Sequence, residues 1–211
     1  MATAVVVCTP AQRVTRSLLG YGVIAGPFYL VVSLAQAFTR RGFDPVRHEW
    51  SLLANGGLGW IQIANLVLTG LMVVACAVGL GRAVPSAWAP RLVGIYGASL
   101  VGAGVFRADP SFGFPAGTPA GPAPVSWHGM LHLVCGAVGF ACLAVACFVL
   151  ARHVPRLAGL SRVTGVVFLV GFGAVAAGAG AVWANLFFTG AVILVWAWLS
   201  TVSVNLYRSI V

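Results

Sequence analysis

The chain has 211 residues, 60% of them apolar and 7% charged, with 12 basic residues against 3 acidic ones and a formal net charge of +9. Soluble domains carry about 25% charged residues, so a chain this poor in charge cannot solvate a soluble surface; a soluble enzyme, a disordered chain and a nucleic-acid-binding domain are excluded. All the basic residues are arginine, placed singly or in pairs, as suits anchors that touch lipid phosphates at a membrane interface.

In chain order, residues 1–17 read as a cytoplasmic N-terminal segment whose apolar stretch Ala4–Cys8 is too short for a signal-peptide core. Residues 18–208 then form a single domain with six apolar runs: Leu18–Phe38, Trp60–Leu80, Leu92–Phe106, His128–Ala151, Val163–Trp183 and Leu186–Tyr207. Crossing a hydrocarbon core takes about 20 residues, and the runs are continuous rather than alternating, which favours helices over a β-barrel. The expected fold is therefore all-α, a polytopic membrane protein with a six-transmembrane-helix bundle, its third span the shortest. Basic residues in the segments on the side of the N-terminus (Arg13, Arg16, Arg82, Arg91, Arg152, Arg156, Arg162, Arg208) outnumber those on the other side (Arg40, Arg41, Arg47, Arg107). The excess places both termini in the cytoplasm. A bias to Arg, Ala, Gly and Val points to a bacterial plasma membrane.

Two long linkers, 39–59 and 107–127, fall on the extracytoplasmic side, the second broken by Pro110, Pro115, Pro119, Pro122 and Pro124. The other connections are short, with a turn expected around Asn185. Small-xxx-small pairs such as Gly173/Ala177, Ala174/Gly178 and Ala176/Gly180 would let span five approach a neighbour. Cys8, Cys76, Cys135, Cys142 and Cys147 lack metal-type spacing; the four within apolar runs read as small hydrophobes.

Distribution of the polar residues carries the functional signal. Every acid (Asp44, Glu49, Asp109) and three of the four histidines (His48, His128, His132) lie in or beside the two outer linkers. His128 and His132, at i and i+4 on span four, share a helix face and suit two ligands of one metal ion. Gln62, Asn65 and Thr69 line one face of span two, either as substrate contacts or as interhelical glue. Together these residues predict a polar pocket under the linkers. Its candidate metal ligands are His128, His132 and His48, around a zinc with an open position. Asp109, Glu49 and Ser51 are the candidate catalytic groups, and Gln62, Asn65, Trp60 and Trp127 the candidate substrate contacts. The bland alternatives are that Asp109 pairs with Arg107 or caps backbone amides, and that His48 and Glu49 are solvated.

Three segments, Asp44–Leu80, Gly102–Pro119 and Ser126–Gly136, resemble the bacterial integral-membrane family catalogued as domain of unknown function 998. The shared elements fall on Arg47, His48 and Ser51; on Gly59, Trp60, Gln62, Ala64 and Asn65; on Val105, Phe106, Asp109 and Pro110; and on Trp127, His128 and His132. The resemblance covers about Leu18 to Arg208 and implies that these residues form one unit, though it carries no reaction. Arg107-Ala108 and Leu133 depart from the pattern, the first setting a cation beside Asp109 and the second removing an acid next to the histidine pair.

The expected activity is metal-dependent hydrolysis of a lipid-like amide or ester, with membrane lipids as surroundings and a lipid-like small molecule as substrate. One alternative is a metal-free enzyme in which a protonated Asp109 starts cyclisation or isomerisation of a polyprenyl-type substrate, with Trp50, Trp60 and Trp127 facing the cation. Another is a non-enzymatic transporter or accessory protein.

Overall fold

The structure, a computed structural model, describes residues 8–122, 124–178 and 180–210. Among them are six long α-helices and no strand: α1 (Pro10–Thr39), α2 (Gly59–Ala83), α3 (Trp88–Val105), α4 (Trp127–His153), α5 (Ala158–Ala177) and α6 (Val182–Ser209). Five are long and apolar enough to cross a membrane, and the chain is a multi-pass helical membrane protein. The sixth, α3, has 18 residues and at 1.5 Å per residue reaches about 27 Å. Its first turn holds Pro90 and Arg91, with the guanidinium 5.7 Å from the Trp88 ring, so its apolar run starts only at Leu92.

Each helix packs on its neighbours in sequence, and α6 returns to pack on α1, closing a ring. Paired residues run in opposite senses across every contact. Ser33 meets Gln62 while Leu19 meets Gly79; Trp198 meets Ser161 while Ala191 meets Gly171. The antiparallel order puts both termini at one end of the bundle and both long linkers at the other. Glycine permits the closest approaches, because in lipid tight van der Waals packing replaces the hydrophobic drive between helices. Gly70 and Gly97 set α2 against α3 backbone to backbone, and a Cβ on Gly97 would lie 2.8 Å from the Gly70 carbonyl oxygen.

Two boundaries and one packing contact depart from the sequence expectation. The first helix begins at Pro10, where Thr9 and Gln12 form a reciprocal capping box, so residues 10–17 belong to the helix; residues 4–7 of the early apolar stretch lie outside the described residues. The turn between α5 and α6 falls at Gly178–Ala181, where Gly180 has φ +80, and Asn185 is buried inside α6. The small residues of α5 also do not all make close packing: a Cβ on Gly173 would meet nothing within 4 Å.

Candidate functional site

The two linkers interlock into a roof over the linker end of the ring. Arg40, just past α1, donates to the carbonyls of Leu53 (2.7 Å) and Asn55 (2.6 Å), with its guanidinium 5.2 Å from the Phe114 ring of the other linker. Burial holds that guanidinium somewhat below its usual pKa. Asn55 donates to the Ala108 carbonyl at 3.1 Å. His48 accepts from the Asp44 N–H at Nδ1 (2.9 Å), which leaves the proton on Nε2 to donate to the Phe112 carbonyl, also at 2.9 Å. Both His48 nitrogens are thus taken by backbone, and the ring packs between Phe43 and Phe114. The residue expected to be a third metal ligand pins one linker to the other.

Asp109 anchors the second linker to α4. Its carboxylate accepts from the Ser126 hydroxyl (2.6 Å) and the Ser126 N–H (2.8 Å), while Ser126 Oγ caps α4 by accepting from the Gly129 N–H at 3.1 Å. Gly129 is required here, since a Cβ would overlap the Asp109 carboxylate. Burial pulls the Asp109 carboxyl upward, but the two bonds from Ser126 and the facing imidazoles of His128 and His132 outweigh it and hold the group below the usual carboxylate range. An ionised Asp109 is not the protonated initiator that the cyclase alternative needs.

Below the roof is a cavity of about 610 Å³, within the roughly 300–1,000 Å³ typical of ligand sites. Of the expected site residues, Glu49, Ser51, Asp109 and His132 line it. Its deep end is aromatic: the Phe140 ring lies 5.3 Å from Phe168, 5.3 Å from Phe172 and 5.5 Å from Phe188. Tyr29, Trp50, Tyr96 and Trp196 line it through a chain of ring contacts 5.1–6.0 Å apart.

His132 is held in one orientation. Its Nδ1 faces the carbonyls of Ala103 (3.0 Å) and Phe106 (2.9 Å) at the end of α3. Two acceptors demand a proton on Nδ1, so in the neutral ring the lone pair lies on Nε2, which no described residue engages. Glu49 precedes the short 3-10 helix Trp50–Ala54 in the first linker, its backbone carbonyl accepting from the Leu52 N–H (3.0 Å) and its side chain making no cap bond. Burial raises its carboxyl above the usual range, partly offset by its own backbone N–H and by His48. Asn185 spans roof and wall: its Nδ2 donates to the carbonyls of Pro45 (3.2 Å) and His48 (3.4 Å), while its buried Oδ1 has no hydrogen-bond partner among the described residues.

The other expected residues stand elsewhere. Gln62 and Asn65 are locked into an α1–α2 network: Gln36 Nε2 donates to Gln62 Oε1 (2.8 Å), Gln62 Nε2 to Ser33 Oγ (3.2 Å), and Asn65 Nδ2 reaches Ser33 Oγ (3.1 Å) and Gln62 Oε1 (3.2 Å). They glue helices and do not line the cavity. Trp60 and Trp127 are 64% and 72% exposed, the placement of amphipathic indoles at a membrane interface. The i, i+4 histidine pair divides: His132 is buried, whereas His128 lies at the rim with Nδ1 3.2 Å from the Arg107 carbonyl and 3.6 Å from Asp109. Among the described residues no three His, Cys, Asp or Glu side chains converge as a metal-holding group. The pairing of Asp109 is with Ser126 and His128, not with Arg107.

Sequence reasoning missed Asn185, Ser126 and Arg40. An amide inside an apolar run is a readable signal, because a polar group in a span needs a partner or a cavity. Serine directly before a helix is another; nothing local marks Arg40 as the roof clamp.

A family model described as a protein of unknown function, DUF998, matches residues 23–205. No curated protein and no solved structure matches the chain.

Proposed function

Since the chain belongs to the DUF998 family, whose description names no activity, we propose from its own geometry that it binds a lipid-like molecule in the cavity under the roof and hydrolyses an ester or amide bond of it without a metal ion. The observation that carries this reading is His132: its Nδ1 is tied to two backbone carbonyls, its Nε2 is unengaged, and it lines the same cavity as Glu49, whose carboxyl burial raises. A base with a fixed tautomer and an acid in one cavity are the parts that general acid–base catalysis needs. In the proposed step a water oxygen bonds to the carbonyl carbon while His132 Nε2 takes the water proton. The bond to the alcohol or amine then breaks, Glu49 donates the proton to that leaving group, and the proton on His132 returns to the Glu49 carboxylate. Asp109 positions the second linker and the start of α4 rather than reacting.

The arginine excess at the terminal end supports an orientation with both termini in the cytoplasm of a bacterial plasma membrane, so that the roof faces outward. The test combines elemental analysis with a turnover screen of lipid esters and amides on the purified chain in lipid nanodiscs. The expected result is turnover without stoichiometric metal, lost in His132→Ala. One zinc per chain that disappears in His132→Ala would replace this reading with the metal-dependent hydrolase.

A further inference from the structure

Although the chain carries +9 formal charge and 12 arginines, none of those arginines lines the cavity, while two of its three acids, Glu49 and Asp109, do. Of the other polar groups at that end, His132 presents the Nε2 acceptor, with Nδ1 already donating, and the Ser51 and Ser111 hydroxyls can accept as well as donate. A phosphate or carboxylate head would meet the Asp109 carboxylate, the Glu49 carboxyl and the His132 acceptor with no guanidinium to answer it, which disfavours an anion in a desolvated site. A hydroxyl, amide N–H or ammonium would satisfy the same groups, and an ammonium would also lie among aromatic rings, since Trp50 and Trp196 line the cavity.

The cavity wall is also incomplete on one side. In their halves nearer the termini, α4 and α5 pack closely, with Gly165 against Cys147 and Phe148, and at mid-membrane Phe140 packs on Phe168 and Phe172. Toward the linkers the seam includes two small residues, Ala137 and Ala176. Leu133 and Ala137 of α4 and Ala176 of α5 line the cavity and are at the same time exposed.

We infer that the ligand of this cavity is a lipid whose head bears hydrogen-bond donors and no negative charge, and that it enters sideways from the bilayer between the linker-end halves of α4 and α5. Its head meets Glu49 and His132, and its chain lies along the phenylalanine-lined floor. The inference rests on the lipid-binding part of the proposed function and not on hydrolysis, because occupancy is read without turnover.

The experiment uses the full chain in nanodiscs of zwitterionic lipid at pH 8 and four photo-crosslinkable probes with the same sixteen-carbon chain, ending in an alcohol, an amine, a carboxylate or a phosphate. The alcohol and amine are expected to label peptides of α4 and α6 at least about tenfold more than the two anions, and Glu49→Gln is expected to narrow that ratio. Equal or stronger labelling by the phosphate or carboxylate overturns the assignment of the head. Ala176→Trp, which fills the seam, is expected to reduce alcohol labelling severalfold with an unchanged thermal midpoint; Ala137→Trp serves if the first variant does not fold. Labelling at the wild-type rate in a folded seam variant overturns the route. His132→Ala that still takes up the alcohol but turns over no lipid keeps both proposals. His132→Ala that takes up the alcohol and retains full turnover removes the hydrolase reading alone.

Discussion

Between α1 and α2, Gln36, Gln62, Asn65 and Ser33 bond mainly to one another, whereas in the neighbouring cavity His132 and Asn185 each keep an acceptor without a partner. Both clusters are built of the same kinds of side chain, taken from an apolar environment where polar groups need partners. The first shows how such a need is mostly met inside the protein: amide meets amide and hydroxyl, and the one atom left over, Gln36 Oε1, is buried away from the cavity. In the second, the roof uses one half of each residue, Nδ1 of His132 and Nδ2 of Asn185, and leaves the other half facing ligand space or unpaired. Burial and polarity alone therefore do not mark a site. Unfilled hydrogen-bonding capacity that opens on a cavity, as at His132 Nε2, does.

Substitutions should separate the two clusters. The largest effect is expected at His132: replacement by Ala should lower lipid turnover by about 10²–10⁴-fold, the usual contribution of a general base, with the chain still folded; unchanged turnover would dissolve the contrast. Next in size, Asp109→Ala should remove two charge-assisted bonds to Ser126 and lower stability by about 1.5–3 kcal/mol. The charged Asp109 stabilises the fold above its ordinary pKa of about 3.9, and because its folded pKa lies lower, that contribution should disappear as pH falls through the lowered value. An acid titration of wild type beside Asp109→Asn, followed by thermal midpoint, checks the sign.

Gln62→Leu should remove the bonds that Gln36 and Asn65 make to Gln62 Oε1, leaving each amide its other acceptors, the Val32 carbonyl and Ser33 Oγ, and cost about 0.5–1.5 kcal/mol per lost bond, yet leave probe labelling of the cavity unchanged. Labelling lost in proportion to stability would make the two clusters one. The smallest effect is expected for Glu49→Gln. A carboxyl raised by burial stabilises the fold when protonated, and that stability falls as pH rises from about 4.3 through the raised folded value. The amide should therefore raise the thermal midpoint at pH 7 and lose that advantage below about pH 4. A midpoint difference independent of pH would show that Glu49 is not titrating in the cavity.

Much of the architecture was readable in the chain because lipid makes the reading simple. A span must be continuously apolar and satisfy its own backbone, so helix number and the two long linkers follow from hydropathy. The capping box at Thr9 and the left-handed Gly180 were local signals too, and reading them would have corrected two boundaries. The site was harder. Asp109, Glu49, Ser51 and His132 could be gathered because the acids and histidines collect near the linkers, but the same inventory also gathered His48, Gln62, Asn65, Trp60 and Trp127, which point to roof, helix seam and membrane interface.

What the sequence determined by itself was therefore the medium, the helical spans and the end of the bundle at which polar chemistry gathers, since these depend on composition and on periodicity within single elements. Tertiary structure decided which polar atoms are consumed. His48 and His132 are the same residue type in linked motifs, yet the Phe112 carbonyl completes the hydrogen bonding of one and the α3 carbonyls complete only half of the other's. That outcome depends on where residues 64 and 26–29 positions apart come to rest, and only the closure of the helix ring settles it.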